Sequence, residues 1–402
     1  MRTDPTVDVG VPPASRSEGG LAGQDAVDEA RSRPVRPLLA VMRPVVSWVF
    51  AVALLMIGLP AAVGVSWSVV MPVVTSLRWT SACILVAVWC LGLFVHSFLL
   101  TAAAPGLTRS RAVTVHVTGS AVASVMPFGG AAGLEVHRRM LRSWGVGGPA
   151  FAGYALLITT WGIGCKLLLP LVAAITLGAA GETVTTPLRA AGLASGLGFL
   201  VLVAAGAALL ASERWAIRLG GVVDGLARRL ARSTSGSHQT RAATAVVGIR
   251  HDCSRLVANG WARMTTGIAG YAALQCLLLG VCLHLAGAGN TVPEVVTGFA
   301  VERMVTILPI TPGGVGVGDL GLVTVLLAFG GNPAGVAVAA LLYRTFVFTV
   351  EVPVGACLLG LWLLRRRASR RDATGGPRPA QPVERALARS SVVRSPPPDE
   401  HP

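Results

Sequence analysis

The sequence predicts an all-α integral membrane protein with about six full transmembrane helices and two broken, re-entrant helical hairpins, arranged as an inverted repeat. Three observations predict it. Hydrophobic residues make up 53% of the 402 positions and charged residues only 13%, against about 25% charged in soluble domains, and the mean hydropathy is +0.65. Apolar runs recur that are long enough to cross a hydrocarbon core of about 30 Å, which takes about 20 helical residues. Finally, one glycine-broken pattern occurs twice at a constant offset of 184 residues. Its first copy is Met126-Pro127-Phe128-Gly129-Gly130-Ala131-Ala132-Gly133-Leu134-Glu135, then Gly147-Gly148-Pro149-Ala150. The second is Thr311-Pro312-Gly313-Gly314-Val315-Gly316-Val317-Gly318-Asp319, then Gly331-Asn332-Pro333-Ala334. Glycine-broken segments at matching places in two halves of a membrane protein point to a transport site.

Residues 1–36 are polar and rich in Pro and Gly, which predicts a disordered tail. Apolar runs at 45–70 and 80–104 predict the first two spans. The run 111–126 is only about 24 Å long as a helix and stops at Pro127. Its continuation carries Glu135, Arg138, Arg139 and Arg142, each costing roughly 2.5 kcal/mol or more at the midplane. A hairpin returning to its own side follows, of a kind tolerated where protein or a water-filled cavity covers the broken backbone. Spans are expected at 149–178 and 187–211. The polar stretch 212–263 is expected to be a basic cytoplasmic loop. In it, Trp215, Leu219, Val222, Val223, Leu226 and Leu230 recur opposite Arg214, Arg218, Arg228, Arg229 and Arg232. That pattern suits a helix on the inner leaflet or on the protein's own cytoplasmic face. A span at 264–286 precedes the second hairpin, 293–330, which Pro309, Pro312 and the five glycines between 313 and 321 break. The last span covers 334–364, and 368–402 reads as a second disordered tail. The membrane domain is therefore 45–365, with repeat units 111–178 and 293–364.

Arginine placement orients this topology. The net charge of +15 comes from 34 basic residues, all arginine except Lys166. They crowd into the ends and into alternate connections, leaving Arg78 and Arg189 in the others. The positive-inside rule then puts both termini in the cytoplasm and turns the second hairpin opposite to the first. Arginine beside apolar spans argues against nucleic acid as a partner. The arginine-over-lysine bias fits a GC-rich bacterial source and its cytoplasmic membrane.

Charges inside apolar spans are functional candidates by default. Lys166 lies near the centre of 149–178 and Glu351 near the centre of 334–364. The offset carries position 166 to 350, so the two are expected at similar depth, paired or sharing a cavity. Arg344 precedes Glu351 on the same helix, and Glu302-Arg303 precede the second glycine motif. Glycines allow close backbone approach and positive φ, and a broken helix presents free N–H groups to a phosphate or carboxylate. The candidate substrate-binding residues are thus Gly129, Gly130, Glu135, Arg138, Lys166, Glu302, Arg303, Gly313, Gly314, Asp319, Arg344 and Glu351. Glu135 with Arg138 and Arg139 reads as a gate on the cytoplasmic side, and Asp319 as one outside. Ion pairing between helices, small-residue packing and snorkelling are the structural alternatives. No catalytic constellation, cofactor motif or metal site is expected. Seven scattered cysteines form no CxxC pair, seven histidines form no HExxH, and no GKS/T follows Gly313–Gly318.

At these motifs the chain resembles the flippase-like membrane domain of lysylphosphatidylglycerol synthases and its stand-alone relatives. The resemblance rests on Met126-Pro127-Phe128-Gly129-Gly130 with Glu135 and Arg138, on Leu308-Pro309-Ile310-Thr311-Pro312-Gly313-Gly314-Val315-Gly316-Val317, and on Tyr343-Arg344. Ser124 stands where the family often has Asn. The resemblance covers about 45–365. It implies movement between leaflets of an anionic or aminoacylated phospholipid, or of an isoprenoid-linked lipid. The full synthases add a soluble aminoacyl-transferase domain, for which the short tail after residue 367 is not expected to have room, so lipid aminoacylation is not expected of this sequence. The expectation is a lipid translocase, not an enzyme, whose partner is a membrane phospholipid. A non-transporting partner or regulator of a separate lipid- or glycan-modifying enzyme is the alternative, and a small-solute permease a third reading.

Overall fold

The computed structural model describes residues 78–126, 129–212, 238–307 and 317–374, together with Ser68, Pro72 and Thr75. The expected first span, the surface helix within 213–237 and most of both tails lie outside the described residues. All regular structure among the described residues is helical. In chain order the helices are α1 (Trp79–Ala103), α2 (Arg109–Val125), α3 (Gly129–Ser143), α4 (Gly148–Ala179) and α5 (Thr186–Ala211). They continue with α6 (His238–Leu285), α7 (Val292–Val305), α8 (Val317–Ala328) and α9 (Pro333–Arg344), then a π-helical turn (Thr345–Val350) and α10 (Glu351–Thr374).

Helix starts follow local chemistry. Proline, whose fixed φ suits the first helical turn, opens α4, α5, α7 and α9. The Asn332 side chain accepts a hydrogen bond from the Gly335 backbone N–H at 3.1 Å, and Glu294 reaches back to the Thr291 N–H at 3.0 Å to complete a capping box. Gly145 and Gly330, with φ of 91° and 85°, close the outgoing arm of each hairpin in a conformation that side-chain-bearing residues avoid.

Five helical stretches are long and apolar enough to cross a membrane: 79–103, 148–179, 186–211, 248–285 and 333–366. They match the five expected spans that fall among the described residues. The remaining arms are short: 17 and 15 residues in α2 and α3, 14 and 12 in α7 and α8. At 1.5 Å per residue none exceeds about 26 Å, so none crosses a core of about 30 Å alone. Each pair folds on itself as a hairpin. Three crossing-length helices separate the two hairpins, and an odd number of crossings places them on opposite faces. The offset carries the first residues of α2 and α4, 109 and 148, to 293 and 332, next to the starts of α7 and α9.

Two expectations need correction. The stretch 238–263 is not loop: it forms one 48-residue helix with the following span, about 72 Å long. Its polar half is held by packing, because Cys253 and Met264 are buried against α1 and α4, and Arg250 donates to the Leu209 and Leu210 carbonyls that end α5 (3.1 and 2.9 Å). Likewise, residues 368–374, expected to be disordered, extend α10.

Small residues bring the helices close. A Cβ on Gly267 would lie 2.5 Å from the Leu99 backbone nitrogen, seating α6 on α1, and one on Gly355 would lie 2.6 Å from the Val117 carbonyl oxygen, seating α10 on α2. By contrast, α5 buries only Gly192 and Ser195 and leaves Leu193, Leu197 and Leu200 exposed, as a helix bathed by lipid tails would.

Candidate functional site

The second hairpin carries a buried charge cluster. Glu302 and Arg303 end α7, Asp319 sits in the first turn of α8, and Tyr343 and Arg344 end α9. Glu302, Asp319 and Arg344 are at most 3% exposed. Arg344 bridges the two acids, donating from Nε to Asp319 and from Nη2 to Glu302 Oε1 at 3.3 Å. Arg303 donates to the Tyr343 hydroxyl, lies 3.4 Å from Glu302 Oε2 and covers the Phe299 ring at 4.9 Å. An isolated ion of this kind would not survive burial; mutual pairing is what makes the cluster tolerable. The fork of Arg344 ties α7, α8 and α9 together across the break in the hairpin.

Lys166 joins the edge of this cluster from α4. Its ammonium donates to Thr306 Oγ1 at 3.0 Å, and the Thr306 hydroxyl in turn donates to the Arg303 carbonyl at 2.7 Å. Among the described residues Lys166 has no carboxylate within the 4 Å of an ion pair. Three cations therefore stand beside two carboxylates, with the Glu351 carboxyl acting on Arg303 from further off. The expected pairing of Lys166 with Glu351 does not occur. Glu351 is 2% exposed and turned toward α2, hydrogen-bonded to Ser120.

The first hairpin is built differently. Glu135 is partly exposed and pairs only along its own helix, with Arg138 at 2.6 and 2.8 Å and Arg139 at 2.7 Å. The Arg138 hydrogen bonds, followed by those of Arg139, hold the Glu135 carboxyl well below its usual range, at about 2. Asp319, expected as an outer gate, is instead a buried half of the Arg344 bridge. The two glycines of the first motif also divide. A Cβ on Gly129 would sit 1.7 Å from the Ala123 carbonyl oxygen, so this glycine closes the hairpin. Gly130 is exposed with open space where its Cβ would be. Gly313, Gly314, Pro127 and Phe128 lie outside the described residues.

Some polar residues escaped the sequence reading. His96 on α1 and His116 on α2 lie tilted against each other with ring centroids 4.1 Å apart, and Tyr271 on α6 lies against both at 4.5 and 5.5 Å. His137 on α3 meets the Tyr154 hydroxyl at 3.2 Å. The available signals were histidines inside apolar runs, His96 in 80–104 and His116 in 111–126. A separate cavity of about 530 Å³ is lined by Leu107, Arg111, Trp144, Gly147, Asp252 and Arg255 among others, and by none of the Arg344 cluster.

A family model described as the lysylphosphatidylglycerol synthase TM region matches residues 31–355. No curated protein matches the chain.

Proposed function

Because the chain belongs to the lysylphosphatidylglycerol synthase transmembrane-region family, a family of membrane domains tied to a lipid, we propose that it is a lipid translocase. It moves an anionic or aminoacylated phospholipid, or an isoprenoid-linked lipid, between leaflets. The observation that carries this reading is the buried bridge of Glu302, Asp319 and Arg344 beside the further cations Arg303 and Lys166. A phosphate headgroup would pair with Lys166, which has no carboxylate partner among the described residues, and the broken α7–α8 hairpin would shelter it from lipid tails. With the arginine-rich connections facing the cytoplasm, the first hairpin opens on that side and the second on the other, as alternating access requires.

The test is a dithionite-protection assay in vesicles carrying a fluorescent phosphatidylglycerol. Wild type should equilibrate the probe across the bilayer faster than empty vesicles, and Lys166→Gln should slow it about tenfold or more, in keeping with a lost charge-assisted headgroup contact. Movement no faster than in empty vesicles, for phosphatidylglycerol and for its lysyl ester alike, would sink the reading for these headgroups and favour a partner role.

A further inference from the structure

We propose that Glu351, Tyr271 and the His96–His116 pair form an intramembrane proton relay that drives the translocation; the inference rests on the translocase reading. Three helices meet here and a fourth is seated on one of them: α1 brings His96, α2 His116 and Ser120, α6 Tyr271 and Gln275, and α10, packed on α2, brings Glu351. His96, Gln275 and Glu351 are 8%, 5% and 2% exposed. Gln275 donates to the Tyr271 hydroxyl at 2.7 Å, and Ser120, which hydrogen-bonds the Glu351 carboxyl, lies one turn along α2 from His116. Four buried polar atoms in this one neighbourhood have no hydrogen-bond partner among the described residues: His96 Nδ1, His116 Nε2, Gln275 Oε1 and Glu351 Oε1. Packing alone would have placed apolar atoms there, since unsatisfied buried polar groups are rare. The imidazole and carboxyl atoms among them can give or take a proton, and the Gln275 amide oxygen can accept a hydrogen bond from a transient water.

The chemistry suits protons better than a metal. Among the described residues no three metal-ligating side chains converge, and the two imidazoles lie tilted against each other with ring centroids 4.1 Å apart. The other ionisable groups facing the site are His137 of α3, bonded to Tyr154, and Arg303 and Glu302 of α7. The step balances simply. A proton taken up at Glu351 Oε1 turns the carboxylate into a neutral acid. Its passage to the histidine pair restores the carboxylate and makes one imidazolium, and release to water returns both to the start. Two imidazoles this close hold one proton, because a second would repel the first. Coupling has a route as well. Glu351 lies seven residues after Arg344, at the end of the π-helical turn 345–350, and such turns collect at functional sites. Charging or discharging Glu351 shifts the helix that holds the Arg344 bridge.

The experiment uses the full chain in phosphatidylglycerol–phosphatidylethanolamine vesicles with an entrapped pH dye, under an inside-negative potassium diffusion potential, with the fluorescent lipid read in parallel. Wild type should acidify the lumen at least about tenfold faster than Glu351→Gln or His96→Gln, the loss expected when a proton-transfer group is removed. Glu351→Asp should retain flux, and His96→Gln decides the matter if Glu351→Gln fails to fold. Lipid movement without proton flux above empty vesicles, or flux equal in wild type and variants, overturns the relay and leaves the translocase standing. Proton flux with a static lipid keeps the proton path but overturns its role in driving translocation, together with the translocase reading.

Discussion

Glu135 and Asp319 hold the same place in the two halves, one 184-residue offset apart, yet they live in opposite environments. Glu135 is half in water and satisfied by arginines three and four residues along its own helix. Asp319 is buried and satisfied by an arginine on another helix. The reason lies in what surrounds them. Shifted back by the offset, Glu302, Arg303, Tyr343 and Arg344 fall on Thr118, Gly119, Thr159 and Thr160. Thr118 bonds inside its own hairpin, to the Thr114 carbonyl and Met140 sulfur. Gly119 admits His137, whose ring would lie 2.2 Å from a Cβ there. One hairpin keeps its charge at the surface and packs its interior with glycine and hydroxyl groups. The other imports a set of mutually dependent ions. A duplicated scaffold thus separates into a packing half and a charge-bearing half.

The largest effect should come from breaking the imported set. Arg344→Met leaves Glu302 and Asp319 buried without their shared partner, and removing one member of such a network costs roughly 3–5 kcal/mol. A thermal melt of the detergent-purified protein should show a greater loss of stability than Gly129→Ala or Glu135→Gln produces, together with loss of lipid movement. Adding Glu302→Gln and Asp319→Asn to Arg344→Met should recover part of the stability but none of the transport. If Arg344→Met melts like wild type, the bridge is not what holds the second hairpin.

A smaller, sharper contrast lies within one turn of the packing half. Gly129→Ala forces a methyl group into the Ala123 backbone, and strain from such overpacking is typically about 1–3 kcal/mol. Gly130→Ala meets nothing within 4 Å and exchanges a helical glycine for the best helix former, a gain of up to about 1 kcal/mol. Thermal melts of the two variants should therefore move in opposite directions. Equal shifts would mean that the α2–α3 turn relaxes freely and that Gly129 has no packing duty.

Much of this was legible in the sequence, and the failures have physical causes. Spans and hairpins are written in the length of apolar runs, which the bilayer fixes. The charges of the second half were visible because ions inside apolar runs stand out. Their pairing was not, because Arg344 and Asp319 are joined by a fold that brings different helix ends together. The expected Lys166–Glu351 pair fails on geometry: the offset carries Lys166 to Val350, and one residue further turns the side chain about 100° around the helix. Lys166 consequently faces the end of α7, whereas Glu351 faces α2. The histidines were overlooked because His96, His116 and Tyr271 each stand alone in sequence and meet only through the packing of α1, α2 and α6. The start of α6 was misread as loop because its arginines obey the solvent outside the bilayer while its helix obeys the neighbours it packs on.

The smallest effect tests the other side of the comparison. Glu135 titrates from an ordinary 4.5 down to about 2 in the folded protein. A depressed folded value means that the pairing stabilises the hairpin in full above pH 4.5, weakens as the pH falls from there, and is gone once Glu135 protonates near pH 2. Exposed pairs contribute little because water and salt screen them, so Glu135→Gln should leave the melting temperature at pH 7 nearly unchanged. Trp144 ends this hairpin with Arg111 stacked on it at 5.2 Å, and a single-tryptophan version retaining Trp144 would report the local opening. Its fluorescence should hold steady to about pH 4 and change below it in the Glu135 protein. In the Glu135→Gln variant that acid step should be missing. An acid step that survives the substitution would assign it to another group and leave Glu135 as a solubilising charge on an otherwise self-sufficient hairpin. The charge-bearing half has no such margin: there each acid is held by an arginine from another helix, and losing one strands the next.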